Sequence, residues 1–346
     1  LTNEYRSQNR TGLREGREDD NMTHRTIGLA GLGLLGRGIA ACFLGHGFRV
    51  IAFTRQEATH AEARKYIGHA IDDLVNRAGF PAALTQEWPE RFVPVRSCEG
   101  MAESEFVIES VLEDFAAKQE LFDQIESLVG PDVPIASNTS ALPISRLQQG
   151  RRHPGRFLGM HWAEPAHATR FLELVRGEQT SDAAFQAAAS LATAIGKEPS
   201  LVLKDVPAFI VNRLGYAMYR EAMNLLEMGV ADVETIDRSC RNALGLWATM
   251  CGPFRWMDLT GGPALYAKAI AGVLPTLSNA TELPAWMRAL ADSDARGTAN
   301  RRGFYTYTEE EVDAWEQRFR DHAWTVRELM SRYSPLTASE GDPKNG

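Results

Sequence analysis

Gly28-Leu-Ala-Gly31-Leu-Gly33-Leu-Leu-Gly36-Arg-Gly38 is the stretch that decides the fold of this chain. It lies between two apolar runs, so it indicates a strand, a tight turn and the start of a helix. Glycines 31, 33 and 36 fit the spacing G-x-G-x-x-G, which brings free N–H groups of a helix N-terminus to a pyrophosphate. The sequence therefore predicts a dinucleotide site, with redox chemistry as the leading function. The predicted phosphate-binding residues are Gly31, Leu32, Gly33, Leu34, Leu35 and Gly36.

Composition narrows the class of protein further. The 346 residues suffice for about two domains. A net charge of −8 does not favour binding to nucleic acid or to an anionic membrane. The chain has no apolar run near the ~20 residues of a membrane span, and its start lacks the apolar core of a secretion signal. Four cysteines show no metal or redox spacing. We expect a cytoplasmic protein without metal, nucleic acid or membrane partners.

Short apolar runs alternate with helical stretches up to about residue 203, and this alternation predicts a parallel sheet with right-handed crossovers. The long amphipathic segment Glu57–Ala78 is one predicted helix, and Asp182–Ile195 is another. The predicted strands are Thr26–Ala30, Arg49–Phe53, Phe106–Val111, Pro134–Ser137, Arg156–His161, Arg170–Val175 and Pro199–Leu203.

Helices without intervening strands follow, which predicts an all-α domain. Helical spacing runs from Ala208 to Gly229, Asp232 caps a helix that continues through Asn242, and Glu309–Tyr333 forms one more amphipathic helix. The predicted class is α/β, with a Rossmann-type doubly wound sheet before the all-α domain. The predicted divisions are a disordered extension (1–22), a dinucleotide-binding domain (23–204), a helical domain (205–308), and an extra helix with a disordered tail (309–346).

The segment around His161 contains the candidate catalytic residues. His161 ends one predicted strand and Glu173 lies on the next, so a strand–loop–strand return can place them side by side. A carboxylate that binds one imidazole nitrogen fixes the tautomer and makes the other nitrogen a better base. Each residue also has an ordinary interpretation, as a packed histidine and a solvated glutamate. The spacing His161-x-x-Glu164-x-x-His167 would suit a metal only on a helix, and Pro165 argues against one.

The chain resembles the 3-hydroxyacyl-CoA dehydrogenase family over about residues 24–308. The order and spacing of several motifs give this resemblance its weight. They are Ser137-Asn-Thr-Ser-Ala-Leu142, His161 with Pro165 and then Glu173, Pro207-Ala-Phe-Ile-Val-Asn212-Arg-Leu, Gly252-Pro-Phe with Asp258, and Gly303-Phe-Tyr-Thr-Tyr307.

The resemblance implies a role for each matching residue. His161 would be the general base that removes the proton from a 3-hydroxyl, and Glu173 would orient and polarise it. Ser137 and Asn212 would contact the substrate or the catalytic histidine. The cofactor-side residues implied in the same way are Glu113, Lys118, Ser137 and Glu164. The cofactor would be NAD, and the helical domain would form a homodimer.

Three departures from the family pattern keep alternatives open. Thr54 stands where the family has an Asp for the ribose hydroxyls, and Arg55 follows it, so NADP is an alternative cofactor. Glu164 replaces an Asn and would add negative charge near His161 or select a substrate with a positive or hydroxyl group. On the helix where the family contacts CoA, Ala70 and Arg77 replace Ser and Lys.

The leading hypothesis is a 3-hydroxyacyl-CoA dehydrogenase of fatty acid metabolism, with an acyl-CoA as substrate. The first alternative is a dehydrogenase of a small free 3-hydroxy acid, such as carnitine or gulonate. The second alternative is a nucleotide-binding sensor or structural protein without turnover, against which the set of His161, Glu173 and Asn212 argues.

Overall fold

The computed structural model describes residues 25–333 and contains one mixed sheet. Its strands are β1 Thr26–Ala30, β2 Arg49–Phe53, β3 Phe92–Val95, β4 Phe106–Glu109, β5 Ile135–Ser137, β6 Phe157–His161, β7 Phe171–Val175 and β8 Glu198–Val202. They lie in the order β3-β2-β1-β4-β5-β6-β7-β8, and all neighbours are parallel except the antiparallel pair β6 and β7. This confirms the predicted α/β class. The predicted disordered segments lie outside the described residues.

The helices of the sheet domain pack on both faces of the sheet, as its crossovers require. They are α1 Leu34–Gly45, α2 Glu57–Ala78, α3 Leu84–Arg91, α4 Phe115–Leu128, α5 Ile144–Leu147 and α6 Asp182–Ala194. One apolar cluster joins α1, α2 and α6 to one face, and a second joins α4 and α5 to the other. Successive residues of β1 point to opposite faces of the sheet, so Leu29 packs in the first cluster and Ala30 in the second.

Strand β3 is absent from the prediction, and its sequence explains why. Phe92-Val-Pro-Val is four residues long and contains Pro94, which weakens a strand assignment. The strand lies at the edge of the sheet next to β2, where a proline is tolerated. Strand β4 ends at Glu109, two residues before the predicted end.

The second part of the described chain is helical. Its helices are α7 Val211–Glu227, α8 Val233–Ser239, α9 Gly245–Ala248, α10 Pro253–Leu259, α11 Gly262–Val273, α12 Ala285–Asp292 and α13 Glu309–Tyr333. The predicted cap is present, because the Asp232 carboxylate accepts the Thr235 N–H at 2.8 Å. The capped α-helix ends at Ser239, and a π-helical turn, Cys240–Leu244, follows it. None of the described helices is long and apolar enough to cross a membrane.

The burial pattern distinguishes α13 from the other helices of this part. No residue from 210 to 323 is buried, whereas Trp324 of α13 is 6% exposed and belongs to the core of the sheet domain. Arg77 on α2 holds Asp321 of α13 at 2.8 Å. Helix α13 therefore returns across the chain and packs against the sheet domain.

Candidate active site

The glycine-rich turn between β1 and α1 accepts only glycine at two positions. Gly31 has φ +107°, and a Cβ there would lie 2.3 Å from the Ser110 carbonyl oxygen. A Cβ on Gly36 would lie 2.1 Å from the Gly31 oxygen. Helix α1 begins after Gly33 with no side-chain cap, so its first N–H groups point out of the helix for a ligand. The turn has the geometry of a phosphate site.

A cleft of about 760 Å³ opens in front of this turn. Thr54 and Arg55 line it beyond the end of β2, and Glu113 and Asn138 line it beyond β4 and β5. The predicted cofactor residues along this cleft are Gly31, Leu32, Gly33, Leu34, Leu35, Thr54, Arg55 and Glu113. Because the carboxyl edge of a parallel sheet is where dinucleotides bind, the residues present fit NAD. Open space at Gly33, where a Cβ would meet nothing within 4 Å, leaves room for the pyrophosphate.

Lys118, also predicted on the cofactor side, lies behind the cleft rather than in its wall. It is fully buried, and its Nζ lies 2.6 Å from the Glu109 carboxylate and 3.4 Å from that of Glu113. Ser137 donates its hydroxyl hydrogen bond to the other Glu109 oxygen at 2.6 Å. Burial raises the pKa of Glu109, and the Lys118 charge opposes this shift. These contacts fix the side chain of Ser137 at the end of β5.

Glu113 connects two loops at the edge of the cleft. Its carboxylate accepts the Thr139 hydroxyl at 2.5 Å and the N–H groups of Ser140 and Ala141 at 2.9 and 3.1 Å. Burial alone would raise the pKa of Glu113, but the Thr139 hydrogen bond and the Lys118 charge lower it below its usual value. A charged Glu113 therefore holds the loop after β5 in place.

His161 and Glu173 face each other across the antiparallel pair β6 and β7. His161 Nδ1 lies 2.9 Å from Glu173 Oε2, and both side chains are buried. Phe171 packs edge-on against the imidazole at 5.7 Å, with Phe209 tilted on it at 5.8 Å. Within the described residues, Nε2 has no hydrogen-bond partner. The imidazole is therefore held at one nitrogen, with the other left for an incoming proton.

Glu173 also joins the two parts of the chain. Its Oε1 accepts the N–H groups of Ile210 and Val211, at 3.1 and 2.9 Å, where α7 begins. The next residue, Asn212, donates to the Ser140 carbonyl at 3.1 Å. Helix α7 thus contacts Glu173 through its first N–H groups, and its residue Asn212 contacts the loop after β5.

Glu164 does not line the cofactor cleft but faces α1 and α2. Its Oε1 accepts the Tyr66 hydroxyl at 2.6 Å. Its Oε2 is buried without a hydrogen-bond partner among the described residues. Burial and the Glu164 charge raise the pKa of Tyr66, so the phenol remains a donor.

Sequence reasoning missed several polar residues of this region. Glu109 has a sequence signal, since it is a charged residue that ends the apolar run of β4. Thr139 lies within the Ser137–Leu142 motif, but its partner Glu113 is 26 residues away. Tyr66 has no signal, because its partner is 98 residues away. No group of three or more potential metal ligands occurs among residues 25–333.

A dinucleotide cleft beside a buried histidine–carboxylate pair defines a nicotinamide-dependent dehydrogenase. The chain matches the 3-hydroxyacyl-CoA dehydrogenase NAD-binding domain over residues 26–206 and the C-terminal domain of the same family over residues 209–307. It therefore belongs to the 3-hydroxyacyl-CoA dehydrogenase family. It is an NAD-dependent oxidoreductase acting on a CH–OH group.

Three relatives illustrate the range of the family. L-carnitine dehydrogenase of Pseudomonas aeruginosa is 33% identical over 89% of this chain and 96% of its own length. The crystal structure of 5-formyl-3-hydroxy-2-methylpyridine 4-carboxylic acid 5-dehydrogenase, an NAD⁺-dependent dismutase, has a TM-score of 0.82, 29% identity, and coverage of 89% of this chain and 99% of that chain. The (S)-3-hydroxybutyryl-CoA dehydrogenase of Ralstonia eutropha has a TM-score of 0.68, 30% identity, and coverage of 83% and 100%.

Proposed function

We propose that this enzyme oxidises the 3-hydroxyl group of a small free hydroxy acid with NAD. The observation that supports this choice is the packing of α13 on α2, the helix where the family resemblance places CoA. Arg77, the cation that would meet CoA there, lies 2.8 Å from Asp321 of α13 and 3.2 Å from Asp73 of its own helix. The Arg77 charge is thus neutralised within the protein, and a neighbouring helix covers part of that surface.

The comparisons support the same choice. The carnitine and pyridine-carboxylate dehydrogenases act on free acids, and the second has the higher TM-score of the two structures compared. Oxidation of an acyl-CoA is the second candidate, because both domains of the chain match a family named for that substrate.

The proposed mechanism assigns the base to His161. Glu173 holds a proton on Nδ1, so Nε2 has a lone pair that accepts the proton of the substrate hydroxyl. The Glu173 carboxylate then stabilises the imidazolium that forms. NAD, when bound, supplies the acceptor for the hydride that leaves the same carbon. The N–H groups of Ile210 and Val211 keep Glu173 in position, and Asn212 is held against the loop after β5 by its hydrogen bond to the Ser140 carbonyl.

The experiment compares substrates in parallel. Purified enzyme is offered L-carnitine, 3-hydroxybutyrate and 3-hydroxybutyryl-CoA, each with NAD and with NADP, and the reduced nicotinamide is followed by absorbance. We expect turnover of a free acid and no inhibition by excess free CoA. Turnover confined to the CoA ester would refute the proposal in favour of the second candidate.

We also propose that the enzyme is a homodimer, with the second copy covering the helical part. The helices from 210 to 323 bury no residue, which an independently stable domain of this size cannot sustain. A groove of about 610 Å³ in this part is lined by apolar side chains that include Tyr219, Met223, Leu226 and Trp286. Light scattering after gel filtration should give twice the mass of the chain.

The cysteines in the described residues are all free, which supports a cytoplasmic location.

A further inference from the structure

A second cavity lies at the start of β7 and β8, which follow the catalytic strand β6 in the order of the sheet. It has about 720 Å³ and is enclosed by the loop after β6, residues 248–252 and α13. Phe171 lines this cavity and also packs against the His161 ring. The cavity therefore borders the residues that surround the catalytic pair.

Glu164, in the wall of this cavity, has an incompletely satisfied carboxylate. Tyr66 donates to one oxygen, while the other is buried without a partner among residues 25–333. A buried carboxylate oxygen without a donor costs free energy, which a ligand that supplies a donor or a positive charge recovers. No lysine or arginine of the described chain forms an ion pair with Glu164. The Glu164 charge is therefore not neutralised by an ion pair within the described chain.

Three other charged groups around the cavity, Glu198, Arg170 and Arg327, have partners. Glu198 lies 3.3 Å from Arg170. Arg327 of α13 donates to the carbonyl oxygens of His167 and Ala168 at 3.2 and 3.0 Å. His322 of α13 also lines the cavity. Glu164 thus contributes the carboxylate of this lining that has no ion pair within the described chain.

The rest of the wall suits a cation with apolar substituents. Phe171 and Phe319 present aromatic surface, and Met250 and Met330 present polarisable thioethers. Aromatic faces beside a carboxylate attract ammonium and quaternary ammonium groups, whose positive charge is spread over their carbon substituents. Apolar surface alone would accept a neutral alkyl group equally well.

The loop that presents Glu164 is held from several sides. Lys197, which is buried, donates to the carbonyl oxygens of Ala166 and Thr169, and the Cys42 thiol donates to Ala166. Arg327 donates to the carbonyl oxygens of His167 and Ala168, which lie between Ala166 and Thr169 in the loop. Because the loop is fixed before any ligand binds, its carboxylate is a preorganised site.

We propose that Glu164 binds a positively charged group of the substrate, an ammonium or trimethylammonium group on the carbon chain beyond the 3-hydroxyl. This inference rests on the proposed function, because it adds a charge to the free hydroxy acid. Glu164 thereby becomes a specificity residue that distinguishes cationic from neutral hydroxy acids.

The test uses a pair of substrates that differ in charge but not in shape. L-carnitine is compared with 3-hydroxy-5,5-dimethylhexanoate of matching configuration, in which carbon replaces the quaternary nitrogen. We expect the wild type to prefer carnitine by about tenfold to a hundredfold in kcat/KM. Glu164→Gln should lower that preference at least tenfold and leave kcat/KM for the neutral acid within about threefold. The matched control Glu198→Gln, across the same cavity, should keep the wild-type preference.

Each other outcome overturns the inference in a distinguishable way. If Glu164→Gln lowers kcat/KM for both acids equally and weakens NAD binding measured by fluorescence, Glu164 serves the cofactor instead. If the wild type oxidises the neutral acid or 3-hydroxybutyrate as well as carnitine, the cation site is wrong and the proposed function stands. Oxidation of 3-hydroxybutyryl-CoA and of neither free acid would refute both the cation site and the proposed function.

Discussion

Replacing Glu173 by Gln tests the central pair of the proposed mechanism. The side chains have nearly the same volume, so the packing around position 173, which is 1% exposed, is retained. The carboxylate accepts three hydrogen bonds, from His161 Nδ1, Ile210 N and Val211 N. A Gln carbonyl can still accept from the two backbone N–H groups, but its amide N–H₂ then faces His161. Since an N–H₂ group only donates, Nδ1 must give up its proton.

The proton then moves to Nε2, and this tautomer cannot accept the proton of a substrate hydroxyl. The variant also loses the charge that stabilises the imidazolium, worth about 1.5–3 kcal/mol for a hydrogen bond to a charged group. That energy alone is about a tenfold to hundredfold loss in rate. With the wrong tautomer added, we expect kcat to fall by about 10²–10⁴-fold. The affinity for NAD should change by less than about threefold, because Glu173 does not line the cofactor cleft.

A double-mutant cycle separates this mechanism from a general loss of structure. Glu173→Gln, His161→Ala and the double variant are assayed for kcat, for NAD binding by fluorescence and for melting temperature. If Glu173 acts through His161, the double variant is no slower than His161→Ala. The reasoning is refuted if Glu173→Gln keeps kcat within threefold of the wild type, or if the two losses multiply in the double variant.

Four further predictions concern the cofactor site and acid stability. Gly33→Ala should melt like the wild type but bind NAD at least tenfold more weakly, because its Cβ enters open space in the cleft. Gly36→Ala should itself lower the melting temperature, because its Cβ overlaps the Gly31 carbonyl; equal melting temperatures would contradict this. Thr54→Asp should shift the ratio of kcat/KM toward NAD over NADP about tenfold, since a carboxylate accepts from ribose hydroxyls and repels a 2′-phosphate; an unchanged ratio would remove Thr54 from the adenosine site. Burial lowers the pKa of His46 to about 4 from 6.5, so the native state binds fewer protons than the unfolded chain between these values. Stability should therefore fall by roughly 2–3 kcal/mol as pH drops from 7 to 4, and His46→Asn should flatten this part of the profile of urea midpoints.

Local sequence patterns predicted much of the fold. Apolar runs predicted β1 and β2 with their observed limits, and the glycine spacing predicted that a helix, α1, begins after β1. Amphipathic periodicity predicted α2 and α13 with their observed limits. Strand β3 was missed because four residues with a proline give no clear alternation. The pairing of His161 with Glu173 was foreseen from a strand–loop–strand return, and β6 and β7 place the two residues in register.

What the sequence by itself determined is the class of fold and the placement of His161 beside Glu173, because both depend on short-range spacing. What only the tertiary structure decided is which side chains share an environment. Tyr66 reaches Glu164 over 98 positions, and Arg77 reaches Asp321 over 244. Hydrogen bonds and ion pairs at such separations leave no periodic trace in the chain, since each depends on the packing of whole elements against one another.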